Sequence, residues 1–230
     1  MKRPIYYDTE TTGLDPKNDR IIEIAAYDPQ QNKTFCSLIN PRTPIPQTAS
    51  DISHITDEMV KDSPTFEKVA NDFMDFCNDN CILIAHNNDA FDIHFLKNEF
   101  HRENIPMPNW IFLDSLKWAR KYRPDLPKHA LQYLRKIYNI EANNAHRALD
   151  DVIILEKVFN CLIGDLDIET VHRLLYVKET ITRMPFGKHQ GKLLEEIPKS
   201  YLSWLKEQGA FEKPENANLK ECLEKQGLLI

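Results

Sequence analysis

Two carboxylates stand two residues apart in the stretch Ile5-Tyr6-Tyr7-Asp8-Thr9-Glu10-Thr11-Thr12-Gly13-Leu14. Ile5, Tyr6 and Tyr7 favour a strand, and strand side chains alternate faces, so Asp8 and Glu10 project to one side. Two acids on one face beside an apolar strand repel each other and are costly to desolvate. A divalent cation relieves both costs, and hard oxygen ligands suit magnesium or manganese. Gly13 would permit a sharp exit from the strand. Taken alone, the pair reads equally well as ordinary exposed acids at a strand end.

Further acids follow at places where open α/β sheets build sites. Residues 81–86, Cys-Ile-Leu-Ile-Ala-His, form an apolar run suited to a strand buried on both faces. A polar turn and a helix starting near Ala90 come next, with Asp92 in the first helical turn, beyond the carboxyl end of that strand. Asp151 falls within an apolar-striped helix over about 145–162, and His146 lies at its entry with Asn143 and Asn144 as candidate caps. On one continuous helix, His146 and Asp151 would point ~140° apart. They can share a site only if His146 belongs to the entry loop or first turn.

The elements that position these residues are legible in outline. A strand is expected to start at Ile5, with others at 20–28 and 33–39, joined by short gaps as an antiparallel meander, and a fifth over 110–114. Pro41, Pro44 and Pro46 keep the following stretch out of any central strand. Thr56 is placed to cap a helix, and Phe66, Val69, Ala70, Phe73 and Cys77 recur at helical spacing. Helices are also expected at about 115–122 and 128–139. After Gly164 a linking helix, about 168–178, leads to a changed pattern. Ile181 to Leu193 reads as a β-hairpin with a Gly-punctuated turn, and two short helices follow.

The 230 residues carry a net charge of -6 and no apolar run of membrane-spanning length. This balance argues against a protein that coats nucleic acid electrostatically, but not against an enzyme acting on it. The amino terminus has no signal-peptide pattern, so a cytoplasmic location is expected. The five cysteines, at 36, 77, 81, 161 and 222, read as reduced thiols, mostly in the core.

Three stretches in order, Asp8 to Leu14, Ala85-His86-Asn87-Asn88-Asp89-Ala90-Phe91-Asp92, and His146-Arg147-Ala148-Leu149-Asp150-Asp151, resemble the DnaQ-like 3′→5′ exonuclease superfamily in its DEDDh branch. Asp114-Ser115-Leu116 resembles the family's fifth-strand segment. The resemblance covers residues 1 to about 163. It implies an α/β, ribonuclease H-like mixed five-stranded sheet with strands 1–3 antiparallel, flanked by helices. It also implies two Mg2+ ions, replaceable by Mn2+, held by Asp8, Glu10, Asp92 and Asp151, with Asp8 bridging and His146 taking the proton from the attacking water. Thr9, Thr11, Gly13, Leu14, His54, Asn87 and Phe91 become candidate substrate contacts, Leu14 as an apolar wedge. His54 stands where the family often has glycine.

Met184-Pro185-Phe186-Gly187-Lys188-His189-Gln190-Gly191-Lys192, with Tyr201-Leu202-Ser203-Trp204-Leu205, is similar to a small α+β domain found alone or appended to nucleases of the exonuclease X kind. Lys188 and Lys192 are candidate contacts for a phosphate backbone or a partner, against the alternative of a solvated turn. The domains are therefore expected at 1–164 and 180–230, with 165–179 as the linking helix. The resemblance points to an exodeoxyribonuclease acting on single-stranded or frayed DNA 3′ ends, with a role in repair and no membrane contact. RNA as substrate, in the manner of ribonuclease T or oligoribonuclease, a polymerase-associated docking module, and a homodimer stay open.

Overall fold

A computed structural model describes residues 2–78, 80–141, 148–177 and 180–229. The chain divides into two units, Met1–Leu175 and Tyr176–Ile230. The first begins with β1 (Arg3–Thr11), β2 (Ile21–Asp28) and β3 (Lys33–Leu38), followed by α1 (Gln47–Ser53), α2 (Asp57–Val60) and α3 (Phe66–Cys77). Then come β4 (Cys81–Ala85), α4 (Asp92–Arg102), β5 (Ile111–Asp114), α5 (Ser115–Tyr122), α6 (Leu131–Ile137), α7 (Ala148–Ile163) and α8 (Ile168–Tyr176). The helix read as a linker is thus α8, and all but its last residue fall in the first unit.

The strands form one mixed sheet in the order β3-β2-β1-β4-β5. Short connections make β1, β2 and β3 antiparallel, whereas β4 and β5 run parallel to β1. Parallel neighbours need a crossover, and α4 supplies it between β4 and β5. The carboxyl ends of β1, β4 and β5 therefore point the same way. β4 is buried at every residue, as its continuous apolar run requires.

The two sheet faces are covered differently. Ile5 and Tyr7 of β1 join Phe73 of α3 and Phe95 and Phe100 of α4 in the main core. On the opposite face, which carries Tyr6, Asp8 and Glu10, α7 packs over β1 and β2. Phe159 of α7 meets Tyr6 edge-on, ring centroids 6.3 Å apart.

A buried ion cluster ties the loop after β1 to α4. Glu99 is 0 % exposed. It accepts from Arg20 Nε at 2.7 Å, Arg20 Nη2 at 2.9 Å, Arg102 Nη1 at 3.1 Å and the Ile21 amide at 3.2 Å. Arg102 also donates to the carbonyls of Pro16, Lys17 and Asp19, clamping the loop. Gly13 sits in this loop outside the left-handed region, so a sharp backbone exit is not what it provides. Instead, a Cβ there would lie 2.4 Å from Asp19 Oδ2, whose carboxylate accepts from the Asp15 amide across that space.

Other expectations need revision. No helix was read at 47–53, yet α1 forms directly after Pro46, where a proline's missing N–H costs nothing. Thr56 holds the cap position of α2, but its side chain makes no capping bond. The second unit contains α9 (Lys199–Glu207), α10 (Ala217–Lys225) and three single 3-10 turns around a core of its own. The expected hairpin there is reduced to one isolated bridge, Arg183↔Leu193. Backbone bonds from Met184 to Lys192 and from Leu194 to Thr182 flank the bridge, but the Lys192 amide turns to the His189 carbonyl and Gly191 donates to Met184 in its place, so the regular ladder stops there. All five cysteines are free, with Cys77, Cys81 and Cys222 buried and Cys36 and Cys161 exposed. Among the described residues, no helix is long and apolar enough to cross a membrane.

Removing one side of a buried ion cluster leaves the other uncompensated, so Glu99→Ala should cost about 3–5 kcal/mol in urea unfolding followed by tryptophan fluorescence. Asp125→Ala, which breaks the exposed Arg123–Asp125 pair, should cost under about 1 kcal/mol. Equal effects would contradict the anchoring role of Glu99.

Candidate active site

Three elements bring carboxylates to one cleft of about 320 Å³. Asp8 and Glu10 come from β1, Asp92 from the first residue of α4, and Asp151 from the first turn of α7. Thr9, His86, Asn87, Phe91 and the entry to α6 at Ala130–Gln132 complete the lining. A bulge between Glu10 and Thr11 ends the regular pairing of β1 at the cleft.

Asp92 and Asp151 are each held by a neighbour. Asp92, 2 % exposed, accepts from Thr9 Oγ1 at 2.8 Å. Asp151 accepts from Gln132 Nε2 at 2.8 Å. Asp114, at the end of β5, caps α5 through the Leu116 and Lys117 amides and accepts from the Asn87 and Asp89 amides. One carboxylate thereby fixes the turn that delivers Asn87, Phe91 and Asp92. The Nε2 of His86 lies 2.9 Å from the His129 carbonyl, so it carries the proton, and Nδ1 accepts from Ser115 Oγ at 2.8 Å. Burial lowers the pKa of His86 to about 4, which keeps the ring neutral and structural.

The sequence reading missed Glu23, hidden in the apolar run Ile21-Ile22-Glu23-Ile24. It lies directly opposite Glu10 in the β1–β2 register and is 1 % exposed. Directly opposed residues share a face, so this antiparallel register was the signal that would have found it. Glu23 Oε2 accepts from the Ala148 amide at 3.4 Å, joining β2 to the start of α7 just ahead of Asp151.

The other candidates fall elsewhere. Thr11 donates to the Gly13 carbonyl at 2.6 Å and shapes the exit loop. Leu14 is 84 % exposed, which excludes a core role. Thr11, Gly13, Leu14 and His54 do not line the cleft. His54 is exposed at the end of α1 with φ 58°, a left-handed conformation that favours glycine. His146, Asn143 and Asn144 lie outside the described residues. Lys188 and Lys192 are exposed in the second unit.

Burial, with repulsion from Asp92, Glu10, Asp151 and Glu23, holds Asp8 well above the usual carboxylate range. Burial and then Glu23, Asp151 and Asp92 push Glu10 up to about 7. Burial pushes Asp92 up to about 7 against the opposing bond from Thr9. A cluster that resists its own ionisation suits a divalent cation, and its oxygen-only donors suit a hard one. Among the described residues, no three acidic, His or Cys side chains already form a metal cage. The donor set therefore fits a cation by its chemistry.

In the unfolded chain these carboxyls titrate near 4, so between about pH 4.5 and 7 the native state binds more protons than the unfolded one. Stability of the metal-free protein should therefore fall as pH rises through that window. Thermal melts in EDTA should show a lower Tm at about pH 8 than at about pH 5. Asp8→Asn should flatten the decline, and millimolar Mg2+ at the higher pH should reverse it. A Tm that rises with pH in EDTA would contradict this.

Comparison with known proteins agrees with the architecture. The exonuclease family pattern matches residues 5–159. A second family pattern, which carries the provisional description of a quorum-sensing-regulated virulence factor, matches residues 173–224. The exonuclease DPD1 of Arabidopsis thaliana chloroplasts and mitochondria is 38 % identical over 179 residues, 70 % of this chain and 56 % of that protein. A PolC-type DNA polymerase III of Clostridium perfringens is 35 % identical over 177 residues, 74 % of this chain but 12 % of the polymerase. The chain thus spans about half of the first relative and a small part of the second.

Among solved structures, E. coli exonuclease I in complex with a dA16 oligonucleotide superposes with a TM-score of 0.62 at 21 % identity, over 78 % of this chain and 46 % of that one. Exonuclease X in complex with 5′ overhanging duplex DNA gives 0.58 at 24 % identity, over 75 % of this chain and 99 % of that one. These two carry the likeness of fold. With the family pattern spanning most of its length, the chain belongs to the exonuclease family.

Proposed function

We propose that this protein is a metal-dependent 3′→5′ exodeoxyribonuclease that releases nucleoside 5′-monophosphates and serves DNA repair. The observation that carries the reading is the convergence of Asp8, Glu10, Asp92 and Asp151, from three elements, on one cleft at the carboxyl end of β1. The DNA-bound state of both solved neighbours favours DNA as the substrate.

In this reading Asp8, Glu10, Asp92 and Asp151 would hold two Mg2+ ions. Two such ions activate water for attack on phosphorus and neutralise the charge that develops on the leaving 3′-oxygen. The chain's own residues do the rest. Thr9 donates to Asp92 Oδ1 and Gln132 to Asp151 Oδ1, so both carboxylates are oriented in the cleft. Asn87 and Phe91 line the cleft where a terminal nucleotide would enter. Leu14, an apolar side chain standing in water, is suited to wedge against a terminal base. His146 follows the family pattern as the group that takes a proton from water, and a neutral imidazole near pH 7 suits that task.

The test uses matched single strands labelled at either end, DNA beside RNA, with Mg2+ and then with EDTA. The expected outcome is Mg2+-dependent release of mononucleotides from the 3′ end, faster on DNA. Asp8→Asn should lower the rate by more than about 100-fold, beyond the effect of losing an outer-shell partner. Faster cleavage of RNA would replace the substrate assignment, and undiminished activity in Asp8→Asn would overturn the metal assignment.

A further inference from the structure

The second unit carries a surface that the cleft does not explain. Leu202 and Leu205 of α9 are buried in that unit's core. The same helix presents Tyr201 and, one turn on, Trp204, which is 50 % exposed. Their rings stack, with centroids 5.7 Å apart and planes at 26°. The His189 ring meets Tyr201 edge-on at 4.6 Å. A large aromatic left in water beside two further rings is an open stacking platform.

The loop holding His189 is built onto this platform. Gly187 has φ 77°, and a Cβ there would lie 2.4 Å from Tyr201 Oη, so only glycine lets the loop approach. The Tyr201 hydroxyl accepts the Lys188 amide at 3.2 Å. The loop thereby fixes the backbone of Lys188 against the rings, with exposed Lys192 following closely. Neither lysine is ion-paired among the described residues. Residues 180–194 contain Arg183, Lys188 and Lys192 and no acid, in a chain whose net charge is -6. Burial and then the two lysines hold His189 below its ordinary pKa. Its Nδ1 is shielded from solvent and has no hydrogen-bond partner.

Stacked rings flanked by unpaired cations are the arrangement that holds single-stranded nucleic acid without sequence preference: bases have π-faces and the backbone is anionic. We propose that Tyr201, Trp204 and the 187–192 loop form a second nucleic-acid contact, on which a base of a single DNA strand stacks while adjacent phosphates meet Lys188 and Lys192. This rests on the reading of the protein as a DNA exonuclease. It adds a contact that raises the effective concentration of strand at the enzyme without taking part in hydrolysis.

The experiment uses the full chain, oligo(dT) of about 30 nucleotides, and EDTA to prevent cleavage. Trp110 and Trp118 are buried, so quenching of intrinsic fluorescence by the oligonucleotide should come from Trp204 and vanish in Trp204→Ala. That variant should bind about tenfold more weakly, and Trp204→Phe should recover most of the loss. Lys188→Ala with Lys192→Ala should reduce the slope of log affinity against log salt by about 1.4, at about 0.7 per single-strand phosphate. All three variants should hydrolyse a dinucleotide in Mg2+ at the wild-type rate. Unchanged quenching, affinity and salt slope would overturn the proposal and leave the surface to a protein partner. If the wild type cleaves neither the dinucleotide nor the longer strand, it is the exonuclease reading that fails instead.

Discussion

Acids that repel one another in a partly buried cleft set the terms for this structure. Asp8, Glu10, Asp92 and Asp151 line one cleft, with Glu23 opposite Glu10, and Asp8, Glu10 and Asp92 are pushed above their ordinary range. No chain would gather these groups for stability alone. The surrounding fold must offset their repulsion, and it does so on the opposite sheet face and in the helices that deliver the acids. β1 serves both purposes through its alternation: Ile5 and Tyr7 enter the main core while Asp8 and Glu10 face the cleft.

The same division recurs at the other elements. α4 begins with Asp92 and buries Phe95, Leu96 and Phe100 beyond it. Further along, Glu99 draws in Arg20 and Arg102, which clamp the loop leaving β1. Asp114 closes the turn between β4 and α4 from the end of β5. α7 carries Asp151 in its first turn and packs Val152, Leu155, Val158 and Phe159 into the interior. In each case the charged group sits where a strand or helix ends, and the apolar residues behind it hold the element.

Much of this was legible in the sequence, for identifiable reasons. The apolar run at 81–85 and the helical spacing of Phe66, Val69 and Phe73 are strong periodic signals, and both elements formed. The short gaps between the first three strands carried their antiparallel order, whereas the mixed five-stranded sheet was implied by the family resemblance. What failed depended on pairing or on close approach. Glu23 lies within an apolar strand, and only the register sets it opposite Glu10. Gly13 suggested a turn, but its small size matters because Asp19 fills the space beside it. Ile181 to Leu193 had the punctuation of a hairpin, but the Lys192 amide bonds the His189 carbonyl within the loop and leaves a single bridge. Trp204 entered the sequence reading only as part of the motif resembling a small appended domain, and the fold is what leaves it in water against Tyr201.

The most direct test of the acid cluster as a cation site is calorimetric titration of Mn2+ into metal-free protein at neutral pH, in two buffers of different ionisation enthalpy. Carboxyls held near neutrality must lose protons when they become ligands, so binding should release protons to the buffer. The predicted result is saturable binding of two ions per chain with net proton release, both lost in Asp8→Asn. Binding without proton release, or binding that survives Asp8→Asn, would contradict the assignment of these carboxylates as the ligands.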